Sequence, residues 1–355
     1  MITLPRHFAA LLLALTLMNT NPLYAADSTA MQSIRFFGRW DLRAPDRAIT
    51  VNSGSYLLAQ FSGNSISARF DVAANLPPLP VLTWRIDGGE WQYAEIAPEL
   101  KLAEGLAAGP HTLWLMVRGL DEHQSRWKQP LLASVTFLGL DLPAGGQLLK
   151  PLAEWDNPKL KIEFLGDSIT EGVLVGGPHG KAQATWPWSS NALDSWAGQT
   201  ALSLGAMWRQ VGFGATGINH GGSGGAIAAQ DSFNFFYDGC PRDDWQPDLV
   251  VINQGANNAG DNGGKYLPLY EKYLATIRAA YPKAKIAAVR PFSGAQADAI
   301  KVAVDAARAA GDKEIYYIDT TGWYLGPLHP PAKDCADIAA KLTGVLKTEV
   351  LNAKP

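Results

Sequence analysis

Four places in this chain carry side chains that could act together on a carbonyl group. In Phe164-Leu165-Gly166-Asp167-Ser168-Ile169-Thr170 an apolar, β-prone run stops at glycine and a serine follows. A serine just past a buried strand, at the mouth of a helix, stands where open α/β sheets carry ligands. It is also close to helix-start N–H groups that can steady an anion. Such a serine could attack a carbonyl; alone, it reads equally well as an N-cap. Its hydroxyl is a weak nucleophile until a base takes the proton, and histidine is tuned for that near neutral pH. Of the six histidines, His7 is near the start, His111 in a β turn, and His123 and His179 in loops. His220 lies in a glycine loop that could touch the site. His329, in Leu328-His329-Pro330-Pro331, follows the last strand-like run, which brings it to the same sheet edge as Ser168.

Charge developing on the carbonyl oxygen needs donors. The Ser168 N–H, the Gly224 N–H and the Asn257 amide are the candidates. Gly224 belongs to Asn219-His220-Gly221-Gly222-Ser223-Gly224-Gly225 and Asn257 to Gly255-Ala256-Asn257-Asn258. By itself the first stretch also suits a flexible turn, and Asn257 a turn asparagine. A phosphate cradle is disfavoured, because Gly-Lys-Ser/Thr is missing and no Gly-x-Gly-x-x-Gly directly follows the first strand.

Elements must bring these places together. Strand-like runs at Lys161 to Leu165, about Phe213 to Asn219, Asp248 to Gln254, Lys285 to Arg290 and Glu314 to Asp319 alternate with helical stretches. Those stretches are about Leu193 to Gln210, Tyr266 to Ala280, Ala295 to Ala310 and Asp334 to Leu351. Such alternation predicts a parallel, doubly wound sheet over 159–352, with functional residues at the strands' carboxyl ends. Before it, short alternating runs such as Tyr56 to Phe61, Ser65 to Phe70, Leu82 to Ile86 and His111 to Val117 are separated by turn signals. They predict an all-β sandwich or jelly roll over 31–143. A link carrying Gly145, Gly146, Pro151 and Pro158 spans 144–158.

The constellation resembles the SGNH (GDSL-type) hydrolase family. Its blocks are matched by Gly166-Asp167-Ser168, Gly224, Gly255-x-Asn257 and His329. The resemblance implies a flavodoxin-like fold, Ser168 as nucleophile, His329 as base, and Gly224 and Asn257 with the Ser168 amide as the oxyanion hole. The front half adds Gly38-Arg39-Trp40 and Gly109-Pro110-His111-Thr112-Leu113. With the lead-in to Gly172, these look like carbohydrate esterase family 2, a jelly roll joined to an SGNH domain. That family removes acetyl groups from polysaccharides, which implies an acyl-enzyme reaction without cofactor or metal on acetylated poly- or oligosaccharide. The family's usual Asp-x-x-His reads Gly326-Pro327-Leu328-His329 here, and its Asn-Asp reads Asn257-Asn258. A Ser–His dyad is one consequence. Asp319 and Asp334 are substitute acids, each also readable as a turn or helix-start residue.

Length and composition set the remaining bounds. The 355 residues are enough for two domains, and 47% hydrophobic with 18% charged content excludes a largely disordered chain. A net charge of -3 offers no general basic field for nucleic acid or anionic lipid. Arg6 and His7 before the apolar Phe8 to Met18, then Ala25-Ala26, read as an export signal over 1–26. The expectation is a periplasmic or secreted protein that leaves the membrane after cleavage. Export permits a disulfide, so Cys240 and Cys335 are expected to pair; neither sits in a metal-binding spacing. Trp186, Trp188 and Trp323 are candidate platforms for sugar rings, or packing residues. Two alternatives stand beside the esterase: a carbohydrate-binding protein on a weakened esterase fold, and an SGNH lipase or thioesterase.

Overall fold

Alternation of apolar and polar side chains builds the first half of the chain. The computed structural model describes residues 31–177, 186–261 and 264–352; the export segment expected over 1–26 lies outside them. The strands run β1 (Ile34–Phe37), β2 (Ala48–Thr50), β3 (Tyr56–Ser62), β4 (Ser65–Asp71), β5 (Val81–Ile86), β6 (Gln92–Glu95), β7 (Glu99–Glu104), β8 (Pro110–Gly119), β9 (Val135–Asp141) and β10 (Gln147–Leu148). Among the described residues, one antiparallel sheet has the order β1-β3-β8-β5-β6 with β10 on β3, and a second has the order β2-β9-β4-β7. In β4, Ile66, Ala68 and Phe70 point inward while the residues between them stay partly exposed. They meet Leu57, Phe61, Leu82 and Leu115 of the facing sheet in one core. This is a two-sheet sandwich.

The expected link over 144–158 is partly structured. Gln147 and Leu148 pair with Ser62 and Phe61, and Ala153–Asp156 forms one helical turn whose Trp155 enters the core of the second half.

Strands β11 (Lys161–Gly166), β12 (Met207–Gly212), β13 (Phe235–Tyr237), β14 (Cys240–Pro241), β15 (Leu249–Asn253), β16 (Lys285–Val289) and β17 (Ile315–Ile318) follow. Among the described residues, β12-β11-β15-β16-β17 form a parallel sheet in that order, and β13 pairs with β14 as a hairpin. The chain's direction of progress across the sheet reverses between β11 and β15, which leaves a crevice at the carboxyl end of β11. Alternate side chains of β15 serve two cores: Leu249 and Val251 one, Val250 and Ile252 the other. Helices Trp196–Leu204 and Ala332–Val345 cover the first face; Tyr266–Ala280 and Ala297–Ala309 cover the second.

One element moves relative to the sequence reading. The second parallel strand is not 213–219 but Met207–Gly212, a stretch assigned there to the end of a helix. That helix stops at Leu204, because Gly205 takes the left-handed conformation (φ 63°) that closes a helix. Residues 213–219 are a turn instead.

The two halves share buried contacts. Tyr56 and Trp114 of the sandwich pack on Trp208 of β12, with ring centroids 4.7 and 5.8 Å apart. Arg39 reaches the middle of β11, where its Nε and Nη2 each lie 3.3 Å from Glu163 Oε1. Tyr281 donates to the other carboxylate oxygen at 2.7 Å. Both ends of this ion pair are buried, so the pair orients the halves more surely than it stabilises them.

Candidate active site

The site begins with a glycine that cannot be larger. A Cβ on Gly166 would lie 2.5 Å from the Asn253 carbonyl oxygen and would strike Thr170, so β11 passes close to β15 as it ends. Asp167 then caps a single helical turn, Ser168–Glu171, its Oδ1 accepting the Ile169 N–H at 3.0 Å. Ser168 is the turn's first residue and is buried. His329 comes from the loop between β17 and helix Ala332–Val345. Its Nε2 lies 2.9 Å from Ser168 Oγ, within the range needed for proton transfer. A hydroxyl at the tip of the first parallel strand and an imidazole 161 residues away in sequence thus meet.

The anion donors are arranged less simply. Asn257 sits in a tight turn after β15, and its Nδ2 donates to Asp167 Oδ2 at 3.2 Å and to the Thr216 carbonyl at 3.1 Å. Asn258, where the family pattern has aspartate, accepts the Ile218 N–H at 2.9 Å and donates to Asn219 Oδ1 at 2.6 Å. It therefore ties the glycine-loop entrance to the third block. Gly224 lies against the sandwich domain: its carbonyl accepts the Arg126 and Trp127 N–H groups at 2.9 and 3.2 Å. The segment beside Asn257 is the turn after β12, residues 214–216. His220 stands beside the Asn257 backbone, its Nε2 3.2 Å from that carbonyl.

Other expected residues are dispersed. Asp319 Oδ1 accepts both the backbone N–H and the hydroxyl of Thr321; these bonds hold its carboxyl below the usual range. Asp334 is in the first turn of helix Ala332–Val345. Trp188 docks on the sandwich edge: its Nε1 donates to Glu95 at 2.7 Å and its ring meets Tyr93. Trp186 packs against His123, and Trp323 against the core. The expected disulfide is not formed. Cys240 and Cys335 are free, buried thiols in separate hydrophobic clusters, and burial pushes them up to about 11 and about 12. Among the described residues no group of three His, Cys, Asp or Glu is placed to hold a metal ion.

The sequence reading missed what lies behind the nucleophile. Glu171, the last residue of the turn, is buried against Arg126 of the sandwich, which is itself fully buried. Arg126 Nη1 donates to Oε1, and Nη2 to Oε2 at 3.2 Å, while Ser53 Oγ donates to Oε1 at 3.2 Å. A second carboxyl, Glu122, presses on Gly214, where any Cβ would collide with it. Burial, then the neighbouring Glu171 charge, raise Glu122 well above the carboxylate range. Burial also pushes Asp167 up to about 7, against the lowering effect of the Ile169 N–H. Glu171 was visible in the motif that follows Ser168. Nothing in the local sequence marks Arg126 or Glu122.

A serine at the switch point of a parallel sheet, with a histidine from the last loop on its hydroxyl, is the arrangement of an α/β serine hydrolase. Residues 164–339 match the GDSL-like lipase/acylhydrolase family. The two-domain fold is that of family two carbohydrate esterases. The enzyme of that family from Clostridium thermocellum, solved with cellohexaose, has a TM-score of 0.73 at 24% identity, covering 89% of this chain and 98% of that one. The one from Cellvibrio japonicus has a TM-score of 0.72 at 20% identity, covering 91% and 96%. An acetyl xylan esterase from the rumen bacterium Butyrivibrio proteoclasticus has a TM-score of 0.73 at 18% identity, covering 89% and 95%. No curated protein sequence matches.

Proposed function

We propose that this protein is a serine esterase that removes O-acetyl groups from polysaccharide or oligosaccharide. The observation that carries the reading is the 2.9 Å contact between Ser168 Oγ and His329 Nε2. Ser168 Oγ attacks the acetyl carbonyl as its proton passes to His329. The oxyanion is held by the Ser168 amide, by the Asn257 amide once it exchanges its bond to Asp167 or to the Thr216 carbonyl, and by backbone N–H groups at Gly224 or in the 214–216 turn. His329 returns the proton to the departing sugar hydroxyl, which leaves an acetyl-Ser168 ester. Water, deprotonated by His329, then attacks the acetyl carbonyl; the bond to Oγ breaks, acetate leaves and His329 returns the proton to Ser168 Oγ.

Two further observations support a sugar ester over a long acyl chain. A cleft of about 500 Å³ adjoins Asn257 and is lined by Asn219, His220, Asn258, Asp261 and Lys265, polar groups suited to hydroxyls. The solved relatives' names also point to carbohydrate: cellohexaose for one, acetyl xylan for another. The start of the sequence, with its apolar run and Ala25-Ala26, fits export to the periplasm or medium. Among the described residues no helix is long and apolar enough to cross a membrane.

The test is acetate release from acetylated xylan, glucomannan and cell-wall glycans, alongside labelling of Ser168 by a fluorophosphonate. Ser168→Ala should lose both, with kcat/KM down by at least about 10⁴-fold. Glycan affinity with no acetate released, or an unaltered rate in the variant, overturns the reading.

A further inference from the structure

The sandwich domain does more than adjoin the sheet. Its segment Glu122–Trp127 touches three parts of the second domain: the Ser168–Glu171 turn, the glycine loop and the turn after β12. Arg126 grips the nucleophile turn through both oxygens of Glu171. The backbone N–H groups of Arg126 and Trp127 hold the Gly224 carbonyl. Glu122 lies on Gly214, in the turn after β12. Arg126 thus bonds the nucleophile turn with its side chain and the glycine loop with its main chain, and it is fully buried while doing so. Its guanidinium also lies over the Phe213 ring, 5.3 Å from the centroid, which leaves it little room to swing away.

We propose that Arg126 is a positioning residue: it fixes the nucleophile turn and the glycine loop in one register across the domain boundary, so that catalysis by the second domain depends on the first. The proposal rests on the esterase reading for its kinetic consequence but not for its structural one. A planar fork with two fixed bonds to a carboxylate sets orientation as well as distance, which a point charge does not. An error of about 1 Å in the placement of reacting groups costs on the order of 10²-fold in rate.

The test uses the full chain with Arg126→Met/Glu171→Met. Replacing both ends of a buried pair by apolar groups of similar size commonly preserves folding. Two quantities are read: kcat and KM on p-nitrophenyl acetate, and amide hydrogen exchange over residues 167–172 and 222–226. The expected result is kcat down by about 10- to 100-fold with KM within about threefold. Exchange should rise in both segments together and stay as in the wild type in β15. If that variant does not fold, Arg126→Lys reads the same quantities, with kcat falling about 3- to 10-fold. A folded variant with wild-type kcat, or with wild-type exchange in either segment, overturns the proposal. If exchange rises in both segments while even the wild-type protein hydrolyses no ester, Arg126 keeps its role and the esterase reading falls instead.

Discussion

The nucleophile turn has two sides built on opposite principles. In front, Ser168 faces His329 from its own domain, a half-buried side chain on a loop. Behind, Glu171 faces Arg126 from the other domain, with both side chains sealed from solvent. The front needs partial access and a group able to exchange a proton, so its partner sits on a connection. The back needs neither, so the two charges are buried and joined by two bonds. Chemistry and rigidity are therefore separated by the thickness of one helical turn.

Substitutions on the two sides should fail differently. His329→Gln should cut kcat/KM by about 10³- to 10⁴-fold while leaving the thermal unfolding midpoint near the wild-type value. A midpoint that falls as far as the activity would show that the front is structural after all. Arg126→Met alone leaves Glu171 charged and buried, which should cost about 3–5 kcal/mol of stability by urea unfolding. Wild-type stability in that variant would mean that water reaches the back.

Asp167 lies between the two sides, and its effect should be confined to one pH window. Burial raises its folded pKa from 3.8 to about 7, so the folded chain keeps a proton that the unfolded chain releases. Raising the pH through that window therefore favours unfolding, and the Asp167 contribution to stability declines by a few kcal/mol between about pH 4 and pH 7. In Asp167→Asn, which still accepts the Ile169 N–H, this decline should vanish. Urea midpoints measured across that range check it; parallel pH curves for both proteins would locate the titration elsewhere.

Much of the front was readable in the sequence because it is local or topological. Gly166-Asp167-Ser168 ends a strand, and any residue after the last strand of a parallel sheet returns to the same edge, which brought His329 to Ser168. The second strand was misplaced because Met207 to Val211 carries no turn signal before it except Gly205, whose left-handed φ is a backbone property that composition does not show. The disulfide failed because pairing depends on where two cysteines land, and these two entered different cores. The back was illegible for the same reason: Arg126 and Glu171 are 45 residues apart, and no periodicity links a loop arginine to a glutamate in another domain.

The sequence by itself therefore determined the alternation of strands and helices, the sandwich ahead of them, and which serine and histidine occupy strand ends. These follow from the spacing of apolar side chains and from the few residues that stop a strand or start a helix. Tertiary structure alone decided which backbone surrounds the serine, which carboxyls lose their water, and that an arginine from the first domain closes the second. Those outcomes depend on which surfaces exclude solvent when two separate cores pack together, a property of the assembled chain and not of any stretch of it.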